Sequence, residues 1–246
     1  MNYCCIAFLH PCEQSQQQYR NLCADNDCAD LRQQARLLTL KTMNAPYPIS
    51  LILLAAGASR RMKASMDVDK MLLTLPDGKT LLQTSLEIYS AVPFQEILVI
   101  LPERFRHSLA LPDSARVLVN PNAESGMASS VVLGVESASP QARGYMIALG
   151  DMPLVRTASV EALCEAFLRK AAPTAICAPF FQEKRGNPVL FGNAYKQDLL
   201  HLSGDVGAKV LLKKYSDHVM EIAVNDEGIV RDIDSAEDWR EFVVQH

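Results

Sequence analysis

The chain has 246 residues, 49% of them hydrophobic and 21% charged, with 11 Gly and 13 Pro. This is globular composition, long enough to bury a core without disulfides, and it excludes collagen, coiled coil and wholesale disorder. A net charge of −4, from 24 basic and 28 acidic residues, excludes the basic stripe of a nucleic-acid binder. No apolar run reaches the roughly 18 residues that span a membrane.

Residues 1–42 stand apart. They are rich in Cys and Gln and hold Cys4, Cys5, Cys12, Cys23 and Cys28, whereas Cys164 and Cys177 lie in apolar segments and read as small core residues. The first group has no CxxC pair and no finger-spaced His, so zinc-site spacing is absent. The apolar patch at 4–9 has no basic side chain before it and no clean cleavage site after it, which argues against a secretory signal and for a cytoplasmic protein. Residues 30–40 fit a short helix. Met43 opens MNAPYPISLILLAAG, the pattern that begins an α/β domain. The expected organisation is an extension over 1–42, disordered or a mis-assigned start, and a domain over 43–246. A redox or metal appendage is the third reading of the extension.

From residue 49 strands and helices alternate. ISLILLAA is a continuous apolar run, the mark of a strand buried on both faces. Residues 80–91 have helical spacing. EILVIL at 96–101 is a second buried strand, 116–119 a third, and 126–138 a helix. YMIAL at 145–149 is a fourth strand, 157–170 a helix, and 174–179 another strand. The remainder reads as a short strand at 188–191, helices at 194–202 and 206–214, and strands at 218–224 and 229–233. A last helix spans 235–245, with Ser235 as its cap and Glu237 and Asp238 in its first turn. This order predicts a mostly parallel sheet covered by helices.

Ligands of such sheets bind beyond the carboxyl ends of the strands, so the chemistry is sought there. After the first strand comes LAAGASRRM, residues 54–62. Gly57 and the small residues Ala55, Ala56, Ala58 and Ser59 let backbone N–H groups approach a phosphate chain. Arg60 and Arg61 add positive charge, and Lys70 follows. GxGxxG and GxxxxGK[ST] are both absent, so neither a dinucleotide fingerprint nor a P-loop is present. The plain alternative is a glycine turn followed by surface arginines.

After the fourth strand comes Gly150-Asp151-Met152-Pro153, where a carboxylate at a strand end can hold a hard cation, or simply cap a turn. Asp232-Ile233-Asp234, if extended, puts two carboxylates on one face, which is costly unless solvent, a cation or a basic group compensates; the plain alternative is an exposed edge strand, with Asp234 serving the start of the last helix. Loops at 184–188 and 203–208 shape a pocket or merely turn. NPNAESGMASS, residues 120–130, runs from a strand into a helix whose Gly and Ser side can face a base or ribose. The five histidines are scattered, no Ser-His-Asp or Cys-His set stands out, and they read as surface or filler residues.

LAAGASRRM with Lys70, NPNAESGMASSV, LGDMP, RGNPVLF, GDVGA and DIDSAEDW, in this order, resemble the MobA-like nucleotidyltransferase family, most closely its molybdenum cofactor cytidylyltransferase (MocA) type. They cover the chain from about residue 49 to the C-terminus, and LAAG rather than LAGG resembles the cytidylyl-type members. One departure is visible: Lys63 stands where family members usually carry Gly after the RM pair, and ASMDVD separates it from Lys70. Lys70 precedes Met71-Leu72-Leu73 as the family lysine precedes its apolar run.

The resemblance implies a three-layer αβα fold with a mostly parallel, Rossmann-like sheet of the nucleotide-diphospho-sugar transferase type. It implies transfer of CMP from CTP to the molybdopterin form of molybdenum cofactor, with release of pyrophosphate. Mg²⁺ is the implied cofactor, held by Asp151 with Asp234 as second ligand. Arg61 and Lys70 would neutralise the β and γ phosphates. Leu54, Ala55, Ala56, Gly57, Ala58 and Ser59 would hold the nucleotide, with Asn120, Gly126, Ser129 and Ser130 beside its base or ribose. Asn187 and Asp205 are placed on the acceptor side. A molybdenum hydroxylase or its chaperone is the implied protein partner. The alternatives are another NTP, a sugar or polyol phosphate acceptor, or a non-catalytic carrier of the cofactor, which would not need Asp151, Arg61 and Lys70 together.

Overall fold

A computed structural model describes residues 45–57, 62, 68–106, 109–205 and 207–245. Ala45–His246 forms one compact unit. The expectations for residues 1–42, and those for Ala58, Ser59, Arg60, Arg61 and Lys63, lie outside the described residues.

The run YPISLILL forms strand β1 (Tyr47–Leu54), buried at every position but Pro48. It is the inner strand of a parallel set, between β2 (Phe94–Pro102) and β4 (Gly144–Leu149). Leu51 sits opposite Ile97 in one ladder and Met146 in the other. A strand paired on both edges and covered on both faces meets no water, which is why its sequence does not alternate. Its one polar member, Ser50, donates to Glu96 Oε1 at 2.5 Å.

Beyond β2 lies the parallel strand β3 (Ala115–Asn120). On the other side β7 (Val189–Gly192) runs antiparallel between β4 and β5 (Ile176–Phe181). The two-residue β6 (Lys184–Arg185) makes a hairpin with the end of β5, and β8 (Val219–Ala223) pairs in parallel with β5. The path is β3-β2-β1-β4-β7-β5-β6, with β8 joined to β5.

Helices cover both faces. The Ile52, Leu54, Leu98, Ile100 and Ile147 side packs against α2 (Met127–Ser137), α4 (Lys196–Leu200) and α5 (Lys209–Lys214), through Val131, Val135, Leu199, Leu211 and Leu212. Gly134 of α2 is small because Ile52 lies against it; a Cβ there would stand 2.4 Å from the Ile52 side chain. The opposite face meets α1 (Leu81–Ser90) and α3 (Thr157–Lys170). Leu82 presses on Gly150 and Phe167 on Gly144, whose positions share that face by strand alternation. Thr80 and Gln83 form a capping box that fixes where α1 begins. Below, Met62, Leu73, Leu75 and Leu81 pack with Ile233, Trp239 and Phe242, which anchors α6 (Ala236–Gln245). The layers are helix, mixed and mostly parallel sheet, helix, as expected. Cys164 and Cys177 are buried core residues. Among the described residues no helix is long and apolar enough to cross a membrane.

Three expectations require correction. Residues 229–233 are not a strand: Glu227–Val230 is a 3-10 turn, and the chain then runs extended with no ladder. Its backbone groups are taken by loops instead. Ile229 O accepts from Asn187 N at 2.8 Å, and Gly228 N donates to Asp226 Oδ1 at 2.9 Å. The helix expected from 206 begins only at Lys209, because Gly204 and Gly207 are left-handed (φ 73° and 54°). The helix expected over 194–202 is a 3-10 turn, Asn193–Tyr195, followed by the short α4.

Candidate active site

Parallel alignment brings the ends of β1, β2 and β4 to one edge. Ala55 N donates to Ile100 O at 3.0 Å and Gly150 N to Leu54 O at 2.9 Å, so the ladders continue one step into the loops. Ala55 and Ala56 are buried, whereas Gly57 is exposed, and among the described residues a Cβ on it would meet nothing within 4 Å. Packing does not demand glycine there; the bare backbone leaves room for a ligand to come close.

Asp69 and Lys70 follow in a 3-10 turn, Lys70–Leu72, capped by the Asp69 side chain, which accepts from Met71 N at 3.3 Å. Lys70 is buried at 5% exposure. Its Nζ donates to Asp151 Oδ2 at 2.6 Å and to Asp234 Oδ1 at 2.7 Å. One ammonium thus bridges the carboxylate after β4 and the one before α6.

Two contacts bring Asp234 to Asp151. Ile233 N donates to Asp151 O at 2.8 Å. Asp226, itself buried, accepts from Arg156 N at 2.8 Å and Ser159 Oγ at 2.7 Å, pinning the preceding turn to the start of α3. Gly228 completes the fit; a Cβ there would stand 2.0 Å from Leu154 O. Ile233 then turns inward to Trp239 and Phe242, while Asp232 and Asp234, one residue to either side, turn to Asp151. Asp234 is fixed from the other side by the cap of α6: Asp238 Oδ2 accepts from Asp234 N at 3.2 Å, Ser235 N at 2.8 Å and Ser235 Oγ at 2.6 Å. These bonds hold the Asp238 carboxyl below its ordinary range.

The carboxylates of Asp151, Asp232 and Asp234 offer oxygens that all lie within 4.8 Å of one another. Such a triad could hold a divalent metal. Asp151 Oδ1 is buried with no hydrogen-bond partner, while Oδ2 is taken by Lys70. A buried carboxylate oxygen left bare is costly, and a hard cation is the ligand its chemistry suits. Burial pushes the Asp151 carboxyl up, Lys70 opposes that, and the Asp232 charge adds to it. Burial alone would pull the Lys70 ammonium down, but Asp151 and Asp234 more than offset it and hold it above its ordinary value.

The 120–130 segment is an interlocked scaffold. Asn120 Nδ2 donates to Ser129 Oγ and Ser130 Oγ, both at 2.9 Å, and its Oδ1 accepts from Asn122 N at 2.9 Å. Asn120 and Ser130 are buried. Gly126 starts α2 at φ 117°, and a Cβ on it would stand 2.5 Å from the backbone of Gly204. Ala128 N donates to Gly204 O at 3.1 Å. The loop bearing the exposed Asp205 is therefore seated on the start of α2. Asn187, half-buried, is bonded through its backbone to Ile229 and not to the triad.

Sequence reasoning named Asp151, Asp234 and Lys70, which meet. It did not name Asp232 as a ligand, nor Asp69, Arg104 or Asp226. Asp232 was legible in the Asp-Ile-Asp spacing. Arg104 had one signal, its place just past the carboxyl end of β2. Asp226 had none, because it acts by capping a helix 70 residues earlier.

The chain is 28% identical over 193 residues to nicotine blue oxidoreductase of Paenarthrobacter nicotinovorans, which spans 76% of this chain and 92% of that protein. Its fold is similar to that of Rv0371c from Mycobacterium tuberculosis H37Rv, at TM-score 0.68 and 27% identity over 81% of this chain and 98% of that one. A structure of the same protein in complex with manganese matches at TM-score 0.64 and 25% identity, over 81% and 99% of the two chains. A nucleotidyl transferase from Methanothermobacter shares the fold at TM-score 0.64 and 18% identity, over 80% and 96%. The MobA-like NTP transferase domain matches residues 51–219, from β1 into β8. With the acidic edge beside the Gly57 loop, that match places the chain in the MobA-like NTP transferase domain family, a family of nucleotidyltransferases.

Proposed function

We propose that this nucleotidyltransferase moves CMP from CTP to the phosphate of the molybdopterin form of molybdenum cofactor and releases pyrophosphate. The observation that carries the reading is the buried, unpartnered Asp151 Oδ1 beside Asp232, Asp234 and the Lys70 ammonium, on the edge where the Gly57 loop opens. The choice of CTP and of the acceptor rests on the LAAG form and the order of the six motifs.

In this reading an oxygen of the acceptor phosphate bonds to the α-phosphorus. The bond from that phosphorus to the α–β bridging oxygen breaks, and pyrophosphate leaves with its electron pair. The acceptor phosphate is already anionic, so no residue need remove a proton; the protein positions and neutralises. Asp151, Asp232 and Asp234 would hold Mg²⁺, which supplies charge neutralisation to the phosphate oxygens. That a relative is solved in complex with manganese supports a divalent cation as cofactor. Lys70 holds two of the three carboxylates in place and brings its own positive charge beside them. Arg61 adds charge to the leaving phosphates. The backbone of Leu54, Ala55, Ala56 and Gly57, continued by Ala58 and Ser59, receives the nucleotide. Asn120, Gly126, Ser129 and Ser130 would stand on the base or ribose side. Asn187 and Asp205 flank the acceptor. A cytoplasmic setting, where triphosphates are abundant, fits this reaction.

The test is pyrophosphate release from each of the four NTPs, with Mg²⁺ and molybdopterin-type cofactor. Release with CTP alone, dependent on cofactor and cation, is expected. Release with GTP would overturn the base assignment and keep the mechanism. The relative named as an oxidoreductase favours a second reading, in which the nucleotide bound at this edge carries electrons. Dye reduction by a reduced nicotinamide nucleotide, with no pyrophosphate from any NTP, would select it.

A further inference from the structure

We infer that Arg104 is a positioning residue of the nucleotide site, the clamp that ties the Gly57 loop to the turn carrying Lys70. The inference rests on the nucleotidyltransferase reading of that site.

Arg104 stands in the turn just after β2, on the same edge as Gly57. Its Nη2 donates to Gly57 O at 2.8 Å and to Asp69 Oδ2 at 2.7 Å, and its Nε donates to the same carboxylate oxygen at 3.1 Å. The guanidinium lies 4.7 Å from the ring centre of Phe105, which is buried. The Asp69 side chain is 6% exposed and that of Arg104 34%, so the pair is shielded on one side only.

The contacts run in series. Arg104 fixes Asp69, and Asp69 caps the turn that begins with Lys70. Lys70 is fixed at its far end by Asp151 and Asp234. Two cations therefore join four chain segments, at 57, 69–71, 151 and 234. The Gly57 carbonyl, which would repel an incoming phosphate, spends its lone pairs on the guanidinium instead. Only arginine can do this, because its planar fork serves a carboxylate and a carbonyl together, whereas a lysine ammonium is a point charge. The guanidinium bonds run to Gly57 and Asp69, so the effect of Arg104 falls first on the nucleotide loop and on the turn of Lys70.

The experiment is calorimetry on the full chain and on Arg104→Ala, Arg104→Lys, Asp69→Ala and the Arg104→Ala/Asp69→Ala double variant. Two titrations are compared: each of the four NTPs with Mg²⁺, and Mn²⁺ alone. Arg104→Ala should weaken triphosphate binding by about tenfold while Mn²⁺ affinity stays within about twofold. Arg104→Lys should recover only part of the loss, and the double variant should bind no more weakly than the worse single one. Unchanged triphosphate binding in Arg104→Ala, full additivity, or an equal loss of Mn²⁺ affinity would each overturn the clamp. A wild-type chain that binds no triphosphate would overturn the nucleotidyltransferase reading and the clamp with it. Wild-type binding with an indifferent Arg104→Ala overturns the clamp alone.

Discussion

The backbone N–H of Ile233 donates to the carbonyl of Asp151 across 2.8 Å. This bond joins the end of β4 to a segment more than 80 residues later. Ile233 is buried at 2% exposure, so its two acidic neighbours must point the other way, toward Asp151. This hydrogen bond and this buried side chain set the direction of the acidic pair, which the Asp226 bonds, the cap of α6 and the Lys70 bridge then hold.

Asp151→Asn keeps the shape and removes the charge. It should weaken Mn²⁺ binding at least tenfold and slow pyrophosphate release by roughly a hundredfold or more. Calorimetry with Mn²⁺ and a coupled pyrophosphate assay measure these, and an unchanged circular dichroism spectrum shows that the fold is intact. Chelation of the wild-type enzyme by EDTA should stop release, and added Mg²⁺ should restore it. A near-normal turnover in Asp151→Asn would remove the metal role.

Lys70→Met takes the resident cation off Asp151 and Asp234. With no ammonium to compete, Mn²⁺ should bind several-fold more tightly and raise the melting temperature by more than in wild type. If Lys70 neutralises the phosphates as proposed, turnover should fall sharply. Lys63→Ala is the comparison; if that variant is the crippled one and Lys70→Met is active, Lys63 is the catalytic lysine.

Two glycines should behave oppositely. Gly228→Ala drives a Cβ to 2.0 Å from Leu154 O, so urea unfolding should show a loss of about 1–3 kcal/mol, with weaker Mn²⁺ binding as Asp232 and Asp234 shift. Gly57→Ala meets no atom of the described residues within 4 Å, so its stability should stay within about 0.5 kcal/mol of wild type. Its triphosphate affinity should nevertheless fall, because the methyl group occupies the approach to the backbone.

Burial pushes the Cys177 thiol up to about 12, and that of Cys164 well above its ordinary value. Both remain protonated at pH 8, and a thiol is a poor nucleophile. Iodoacetamide at pH 8 should leave both unlabelled in the native protein and label both after denaturation, as read by peptide mass spectrometry. Native labelling of Cys164 would mean that the face between α3 and the sheet opens readily.

Much of the fold was legible because its signals are local. β1 and β2 are continuous apolar runs, and α1 and α3 show helical spacing with boundaries near those observed. β6 escaped notice, since Lys184 and Arg185 carry no strand signal and are ordered only by the hairpin with β5. Residues 229–233 misled, since the apolar pair Ile229-Val230 reads as a strand, yet Ile229 bonds the backbone of Asn187 and no ladder forms. Asn120 bonds Ser129 and Ser130, a link between a strand end and a helix that no local pattern announces.

The sequence by itself determined the layered α/β architecture, the strand ends that form the site edge, and three of its charged members: Lys70, Asp151 and Asp234. Periodicity and the residue just past each strand are enough for that, because both are properties of a short window of chain. Only the tertiary structure decided that Lys70 bridges the two aspartates, that Asp232 completes the triad, and that Arg104, Asp69 and Asp226 hold the arrangement. Each of these depends on hydrogen bonds that span 35 to 164 positions of sequence, and their geometry is set by how β1, β2 and β4 align at one edge.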